Sequence, residues 1–178
     1  MDDLTTRFEA LYTATFTQVL GFAARRCGSS EDAADVAAET FAIAWRRIGA
    51  VPAGDDARLW LYGVARNVLA NHRRKVARRQ DLNAALAAEL AVRRPPSAED
   101  DAGAGVVGQV FRSLPDADRE VLSLVAWEGL DAGEIARVLG CSRNAARIRL
   151  HRARRRLARD LSAAGVPPGS LAMSGGLR

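Results

Sequence analysis

Cysteine is scarce in this 178-residue sequence, and no apolar run approaches the length needed to span a membrane. Cys27 and Cys141 lie far apart, without CxxC spacing or a histidine at ligand spacing, so neither a zinc site nor a disulfide framework is expected. The first nine residues are polar and acidic, whereas a signal peptide begins basic and then becomes apolar. We therefore expect a cytoplasmic protein with no membrane insertion, metal or other cofactor.

The sequence also lacks the residue patterns of common catalytic sites. It contains no paired carboxylates in a metal-binding arrangement, no glycine-rich phosphate loop and no Ser/His/Asp set. The two histidines, His72 and His151, lie in basic segments without an evident nucleophile or carboxylate partner, so we expect them to be solvated or to contact phosphate. A binding protein is therefore expected, and not an enzyme.

Aromatic residues make up only 6% of the chain, so its core must consist mainly of small and aliphatic side chains. Apolar residues reach 48%, and alanine, the strongest helix former, supplies much of that share. β-Branched and aromatic residues, which favour strands, are sparse. We predict an all-α fold.

Lysine is nearly absent, because Lys75 is the only one and arginine supplies the remaining positive charge. The formal net charge of +5 indicates a polyanionic partner, which could be nucleic acid or an anionic membrane surface. Arginine binds phosphate and guanine edges in a bidentate manner. A GC-rich genome would enrich arginine and alanine as well, so composition leaves both explanations open.

The distribution of charge and of helix breakers predicts two small helical domains joined by a flexible linker. Residues 1–65 are net acidic and 66–79 basic, and a mildly acidic stretch, 112–140, again precedes a strongly basic one, 143–159. Between the halves, Pro95-Pro96 and an acidic, glycine-rich run cannot form a buried helix. The predicted division is a first domain over 1–79, a linker over 80–108 with a short helix near 82–90, a second domain over 109–162 and a disordered tail over 163–178.

Apolar residues recur at helical spacing throughout the first domain, which predicts three helices over 4–26, 30–48 and 57–79. The predicted buried stripes are Phe8, Leu11, Tyr12, Phe16, Val19, Leu20 and Ala23 in the first helix, Ala34, Ala37 or Ala38, Phe41, Trp45 and Ile48 in the second, and Leu59 or Trp60, Tyr62 or Gly63, Val64, Val68 and Leu69 in the third. Ser29 or Ser30 is the expected N-cap of the second helix.

The second domain contains the most specific local pattern, a helix-turn-helix over residues 130–150. Asp131 and Glu134 have the spacing of a capping box, and Gly140 suits the positive φ of the turn. Ser142 would cap the second helix, and residues 114–125 would form a supporting helix. Because the N-terminal residues of such a recognition helix meet base edges, we expect duplex DNA to bind there.

The predicted recognition helix has an inward stripe of Ala146, Leu150, Ala153 and Leu157, and arginines occupy most of its remaining surface. A solvated basic surface helix is the alternative interpretation of these arginines. The cap, the turn glycine and the second cap in register favour DNA binding.

At this point the residues resemble a known family. The segment 114–157, with Leu-Pro, Arg-Glu-Val-Leu, Glu-Ile-Ala, Leu-Gly and Arg-Leu-His-Arg-Ala-Arg in order, resembles region 4 of RNA polymerase sigma factors. Residues 35–41 with Trp45-Arg46 resemble region 2.2, and 58–67 resemble region 2.4. Two such regions joined by a linker, with no region 1 or 3, are typical of the extracytoplasmic-function class of the sigma-70 family.

The resemblance implies a sigma factor that binds core RNA polymerase and directs promoter-specific initiation, and it implies roles for particular residues. Those expected to bind polymerase are Asp35, Glu39, Trp45 and Arg46, at the coiled coil of the β′ clamp. Those expected at the −10 element are Asp55, Arg58, Arg66, Asn67, Asn71 and Arg74. Those expected at the −35 element are Arg143, Asn144, Arg147, Arg149 and Arg152.

The resemblance also implies that the loop 51–56 holds a base flipped from the melted −10 strand. The β flap of polymerase and an anti-sigma factor are further expected partners. The chain departs from the family at Ala38, where glutamine is frequent, and at Asn71, where an acidic residue is frequent.

Several noticeable side chains have simpler structural explanations. Trp45 and Trp60 lie in apolar stripes, so we expect them in the core and not stacked on DNA. Cys141 is expected to be a small buried residue of the turn. Cys27 could sense redox conditions, but no resolving cysteine lies near it in sequence.

A stand-alone helix-turn-helix regulator is the alternative function. Such a protein would bind duplex DNA through its C-terminal half and would need no polymerase. The resemblance over residues 35–46 and 58–67 argues against it.

Overall fold

The computed structural model describes residues 3–89 and 105–166, with side chains described for 3–78 and 105–166. These residues form seven α-helices and one 3₁₀ turn, and they contain no β-strand, which confirms the predicted all-α fold. The chain divides into two compact units, here unit 1 (Met1–Arg94) and unit 2 (Pro95–Arg178).

The described residues of unit 1 form three α-helices, and α1 packs against both others. Their bounds are α1 Asp3–Ala24, α2 Ser30–Arg46 and α3 Asp56–Glu89, with the 3₁₀ turn Ile48–Ala50 after α2. The Ser29 hydroxyl caps α2 by accepting a hydrogen bond from the Asp32 N–H at 3.1 Å. Asp32 also places a negative charge in the first turn, where the helix dipole favours it.

The core of unit 1 combines aliphatic side chains with closely packed aromatic rings. The rings of Phe22 and Tyr62 stack with centroids 4.7 Å apart, and Phe41 contacts the rings of Tyr12 and Phe8. Each large apolar side chain that is fully buried contributes about 1.5–3 kcal/mol. The buried apolar residues are Val19, Phe22, Ala23, Ala33, Val36, Ala37, Phe41, Ala44, Ile48, Val51, Ala57, Leu59, Leu61, Tyr62, Ala65, Val68 and Leu69.

The buried face of α2 differs from the predicted one. Ala34 is exposed and Ala33 is buried instead, together with Val36, Thr40 and Ala44. The Thr40 hydroxyl donates to the Val36 carbonyl oxygen at 2.7 Å, so a polar side chain is buried without losing its hydrogen bond. The prediction that Trp45 belongs to the core is wrong, because 46% of this residue is exposed.

Both ends of the predicted linker are helical. The helix expected to stop near residue 79 continues to Glu89, and a helix not expected from the sequence begins at Val106. Alanine and leucine dominate residues 82–89, and their helix propensity accounts for the extension. The expected flexibility of the rest of the linker and of the tail concerns residues 90–104 and 167–178, outside the described ranges.

Unit 2 is a small bundle in which three helices pack against the fourth. Its helices are α4 Val106–Ser113, α5 Asp116–Ala126, α6 Ala132–Leu139 and α7 Arg143–Ala163. The Arg119 guanidinium donates both to the Arg112 carbonyl oxygen at the end of α4 and to the Asp116 carboxylate, which fixes the α4–α5 junction. The buried apolar residues are Leu114, Val121, Leu122, Leu124, Leu130, Ile135, Ala136, Val138, Ala146, Ala153 and Leu161.

Across residues 3–89 and 105–166, no helix combines the length and the hydropathy that crossing a bilayer requires.

Candidate nucleic-acid and protein interfaces

The first helix of the helix-turn-helix, α6, begins with the predicted capping box. Asp131 Oδ1 accepts hydrogen bonds from the N–H groups of Gly133 (2.5 Å) and Glu134 (2.9 Å), and Glu134 Oε2 accepts from the Asp131 N–H at 2.8 Å. The backbone hydrogen bonds from Glu134 and Gly133 hold the pKa of Asp131 below its ordinary value, and the positive charges of Arg143 and Arg137 act in the same direction. The cap is therefore a carboxylate at neutral pH.

The turn that follows has the predicted geometry. Gly140 ends α6 with a φ of 62°, a left-handed conformation that glycine adopts without the strain of a Cβ atom. The Ser142 hydroxyl then caps α7 by accepting a hydrogen bond from the Ala145 N–H at 3.1 Å. These two local devices fix the direction in which α7 leaves the turn.

Helix α7, the predicted recognition helix, contains eight arginines and one acidic residue, Asp160. Its inward face consists mainly of Ala146, Ala153 and Leu161, which are buried, and Leu150 and Leu157 are partly buried at its edge. The two small alanines allow neighbouring helices to approach closely. Burial of one face therefore leaves the arginines on the others.

Three of the five residues predicted at the −35 element line one concave surface of α7. This recognition surface is formed by Asn144, Arg147, Ile148, Leu150, His151, Arg152 and Arg154. Asn144, Arg147 and Arg152 are exposed on it. An amide and several guanidinium groups on one exposed face can bind base edges and phosphates together.

The other two predicted residues lie elsewhere on α7. Arg149 does not line the recognition surface and lies about 160° around the helix axis from Arg147, at 3.6 residues per turn. Arg143, the first residue of α7, lies beside α6, because its Nε atom is 3.8 Å from the position that a Cβ on Gly133 would occupy. The sequence identified the helix but not which of its arginines share a face.

Ile148 and His151 also line this surface, although neither is among the five residues predicted at the −35 element, and for His151 the sequence predicts only solvation or a phosphate contact. Both are exposed on α7 among the arginines. A helical-wheel comparison would have found Ile148, since it lies four residues after Asn144 and four before Arg152. Two arginines of α7 have carboxylate partners, because Arg156 pairs with Asp118 and Arg159 with Asp160.

In unit 1, the four residues predicted to bind polymerase are all exposed on α2. Asp35, Glu39 and Arg46 lie within an arc of about 40° around the helix, at 3.6 residues per turn. Trp45 lies about 80° around the helix from Asp35, and its ring centroid is 5.1 Å from that of Phe8 in an edge-to-face arrangement. We call Asp35, Glu39, Trp45 and Arg46 the α2 surface.

A groove between α2 and α3 joins part of the α2 surface to part of the predicted −10 set. Its volume is about 330 Å³, and it is lined by Glu39, Ile43, Arg46, Arg47, Val64, Asn67, Val68 and Asn71. The resemblance predicts DNA contacts for Asn67 and Asn71 and polymerase contacts for Glu39 and Arg46. The structure therefore places two predicted sites side by side along one groove.

The six residues predicted at the −10 element do not share one face of α3. Asn67, Asn71 and Arg74 lie on one side, with Arg74 Nη1 donating to Asn71 Oδ1 at 3.4 Å. Arg58 lies about 180° around the helix from Asn67. Arg58 and Arg66 are partly buried, and each has an interaction within the protein.

The loop predicted to hold a flipped base is anchored at both ends. Val51 and Ala57 are buried in one cluster with Ile48, and the Val51 carbonyl oxygen accepts a hydrogen bond from Arg7 Nη2 at 2.6 Å. Asp55, between these anchors, is exposed. The two ends of the loop are therefore held in place, and its middle residues are exposed to solvent.

The surroundings of His72 and Cys27 bear on two predictions, the lack of a carboxylate partner for His72 and a redox role for Cys27. His72 has a carboxylate partner after all, since its Nε2 atom lies 3.1 Å from Asp32 Oδ1 and links α3 to the start of α2. Burial raises the pKa of the Cys27 thiol, Asp32 raises it further, and Arg73 opposes them. The raised pKa disfavours the thiolate that redox chemistry requires. Cys141 is partly buried.

No group of three or more His, Cys, Asp and Glu side chains within the described residues is arranged to hold a metal ion.

Comparison with known families gives two matches in chain order. Sigma-70 region 2 matches residues 11–79, and Sigma-70 region 4 matches residues 105–157. The first match covers most of unit 1, and the second spans α4, α5, α6 and most of α7.

Individual relatives agree with these matches. The extracytoplasmic-function sigma factor SigC of Mycobacterium tuberculosis (strain CDC 1551) is 33% identical over 157 residues, which cover 85% of this chain and 82% of SigC. The extracytoplasmic-function sigma factor BldN of Streptomyces coelicolor is 33% identical over 159 residues, which cover 86% of this chain and 60% of BldN.

A solved structure has a similar fold. CnrH, determined in complex with the cytosolic domain of CnrY, superposes with a TM-score of 0.57 at 28% identity, and the match covers 88% of each chain.

Proposed function

Because this chain belongs to the sigma-70 family, in its extracytoplasmic-function class, we propose that its two units share the work of promoter recognition for RNA polymerase. Residues 1–79 would act as region 2, 80–108 as the connection, 109–162 as region 4 and 163–178 as a tail. The observation that carries this proposal is the match of both family regions, in order, to the two units.

The α2 surface is the proposed docking site for the coiled coil of the polymerase β′ clamp. Support comes from its exposure, from its row of Asp35, Glu39 and Arg46, and from the large apolar ring of Trp45. An exposed tryptophan beside charged groups has the composition of a protein-binding hot spot, where a few aromatic and arginine residues supply most of the affinity.

The face of α3 that carries Asn67, Asn71 and Arg74 is the proposed contact for the −10 element. Amide side chains can bind the edges of unpaired bases, and arginines bind the phosphates on either side. Asp55 in the anchored loop would contact a base flipped out of the melted strand. Arg58 and Arg66 lie on other sides of α3. They would bind phosphates of the DNA backbone or help to hold α3 in position.

The recognition surface of α7 is the proposed contact for the −35 element. The capped start of α7 is the part of a helix-turn-helix that enters the major groove. Arg147 and Arg152 are suited to guanine, and Asn144 is suited to adenine. Arg143, beside α6, and Arg149, on the other side of α7, would bind phosphates, which contribute affinity without sequence preference.

Further proposed partners are the polymerase β flap, at unit 2, and an anti-sigma factor. The structure of CnrH with part of another protein bound supports the second of these, because that chain has a similar fold. We also propose a cytoplasmic location, and a role in recruitment with no catalytic activity of its own.

In vitro transcription tests the proposal most directly. Core polymerase with and without the purified full chain would be supplied with a library of genomic fragments, and the transcript starts would be sequenced. New starts that share two spaced upstream elements are the expected result. Sequence-specific binding of the chain alone, with no new starts, would instead favour the stand-alone regulator.

A further inference from the structure

An isoleucine occupies an exposed place on the basic face of the recognition helix. Ile148 is 43% exposed, although it lies on a helix whose outer faces are dominated by arginine. It lines the recognition surface together with Asn144, Arg147, His151 and Arg152. A single exposed apolar residue is common on protein surfaces, so its position relative to its neighbours must decide whether it has a role.

The position of Ile148 is central. Asn144 precedes it by four residues and Arg152 follows it by four, so the three side chains form one row along α7. Successive members lie about 6 Å apart along the helix axis, at 1.5 Å per residue. The row therefore spans about 12 Å, equivalent to three or four base-pair steps of B-DNA at about 3.4 Å each.

The chemistry of the row matches the major groove. Asparagine can bind the adenine edge and arginine the guanine edge through paired hydrogen bonds, and the apolar group of the major groove is the C5-methyl of thymine. Isoleucine has no hydrogen-bonding atom in its side chain, so this methyl is the base feature that it can recognise. Its β-branched side chain has one strongly preferred χ1 in a helix, so little rotamer freedom is lost on contact.

We propose that Ile148 contacts the C5-methyl group of a thymine within the −35 element and thereby contributes to the promoter preference of this sigma factor. The inference rests on the proposed function of unit 2, because it assumes that α7 enters the major groove of that element. It adds an apolar contact between the polar contacts of Asn144 and Arg152.

Deoxyuridine provides the test, because it lacks only the C5-methyl group of thymine and retains its hydrogen-bonding groups. Holoenzyme assembled from core polymerase and the full chain would be titrated with promoter duplexes at fixed salt. Each thymine of the −35 element, on either strand, would be replaced in turn by deoxyuridine. For the unaltered protein we expect one replacement to weaken binding about fourfold, the value for one buried methyl group.

Substitutions at Ile148 connect that loss to the side chain. Ile148→Ala should weaken binding to the thymine duplex and should show no further loss with deoxyuridine, whereas Ile148→Val should keep most of the sensitivity. Val107→Ala, at an exposed apolar residue of α4, is the matched control and should behave as the unaltered protein. Circular dichroism would verify that each variant is folded.

The outcomes separate this inference from the function on which it rests. Binding that depends on the −35 element, with no sensitive thymine or with equal sensitivity in Ile148→Ala, would overturn the role of Ile148 and leave unit 2 as the −35 domain. A −35 element without thymine on either strand would also overturn the role of Ile148 and leave unit 2 as the −35 domain. Binding that is indifferent to replacement of the whole −35 element would overturn both.

Discussion

Arg156 Nη1 lies 2.5 Å from Asp118 Oδ2, which joins the recognition helix α7 to the supporting helix α5. The Asp118 side chain is only 17% exposed, so its charge is partly removed from water and depends on this partner. The most arginine-rich part of α7, residues 152–156, therefore includes an arginine whose charge serves the fold. Arg156 therefore differs from the arginines of α7 that are proposed to contact DNA.

Arg156→Ala should lower the stability of unit 2 by about 1 kcal/mol, since it leaves a partly buried carboxylate without its partner. Its effect on promoter affinity should be small. Thermal unfolding of the full chain and holoenzyme binding to promoter duplexes would measure the two effects. Arg155→Ala is the matched control for stability, and an equal loss of stability in both variants would contradict the role of the ion pair.

Arg147→Ala should weaken holoenzyme binding to the −35 element by about tenfold, because Arg147 lies on the recognition surface and a good bidentate contact with guanine contributes roughly 1–3 kcal/mol. Arg149→Ala removes the same charge from the opposite side of α7 and should have a smaller effect. Its effect should also be independent of sequence, as expected for a phosphate contact. Binding titrations of both variants on the promoter and on an altered −35 element would distinguish a base contact from a phosphate contact. Equal, sequence-specific losses would show that the recognition surface is wrongly assigned.

Charge reversal on the α2 surface should separate polymerase binding from DNA recognition. The double variant Asp35→Lys/Glu39→Lys should weaken binding to core polymerase by at least tenfold, since like charges or unpaired charges across an interface are costly. The affinity of unit 2 for DNA should be unchanged. A suitable control is Asp3→Lys/Glu9→Lys, which alters two exposed acidic residues of α1 and changes the net charge equally. Unchanged polymerase affinity in the α2 variant would refute the docking site.

The stability of unit 2 should decrease in acid because of the cap at Asp131. The pKa of Asp131 is lowered in the folded protein, so its contribution is present above the ordinary carboxyl pKa and is lost as the pH falls through the folded pKa. Asp131→Asn keeps a capping side chain but removes the titrating charge. The thermal unfolding midpoint should fall as the pH is lowered below about 5, and it should fall less in this variant than in the unaltered chain.

Ser142→Ala provides the comparison for that experiment, because a hydroxyl cap does not titrate in this range. It should cost about 1 kcal/mol at every pH. A pH profile for Asp131→Asn that is parallel to that of the unaltered chain would mean that other carboxylates dominate the acid response.

The helix-turn-helix could be predicted from the sequence in detail because its signals are local. Asp131 bonds to groups two and three residues away, Gly140 adopts its own φ, and Ser142 bonds to Ala145. Each depends on residue types within one turn of the chain. The pair of Arg156 and Asp118, separated by 38 residues, carries no comparable local signal.

The face of α2 was predicted less well for a different reason. Six of its seventeen residues are alanine, and alanine is compatible with both buried and exposed positions. The prediction of the buried face therefore depends on the large side chains Phe41 and Trp45. Trp45 packs against Phe8, but almost half of it remains exposed. A buried threonine whose hydroxyl bonds to its own helix was equally hard to anticipate.

Each unit buries its own set of apolar side chains, and this has an evolutionary consequence. Substitutions on the recognition surface of α7 are therefore expected to leave the free energy of folding of unit 1 almost unchanged. Descendants of this gene could acquire new target promoters through a few exchanges in α7 while inheriting the same attachment to the transcription machinery.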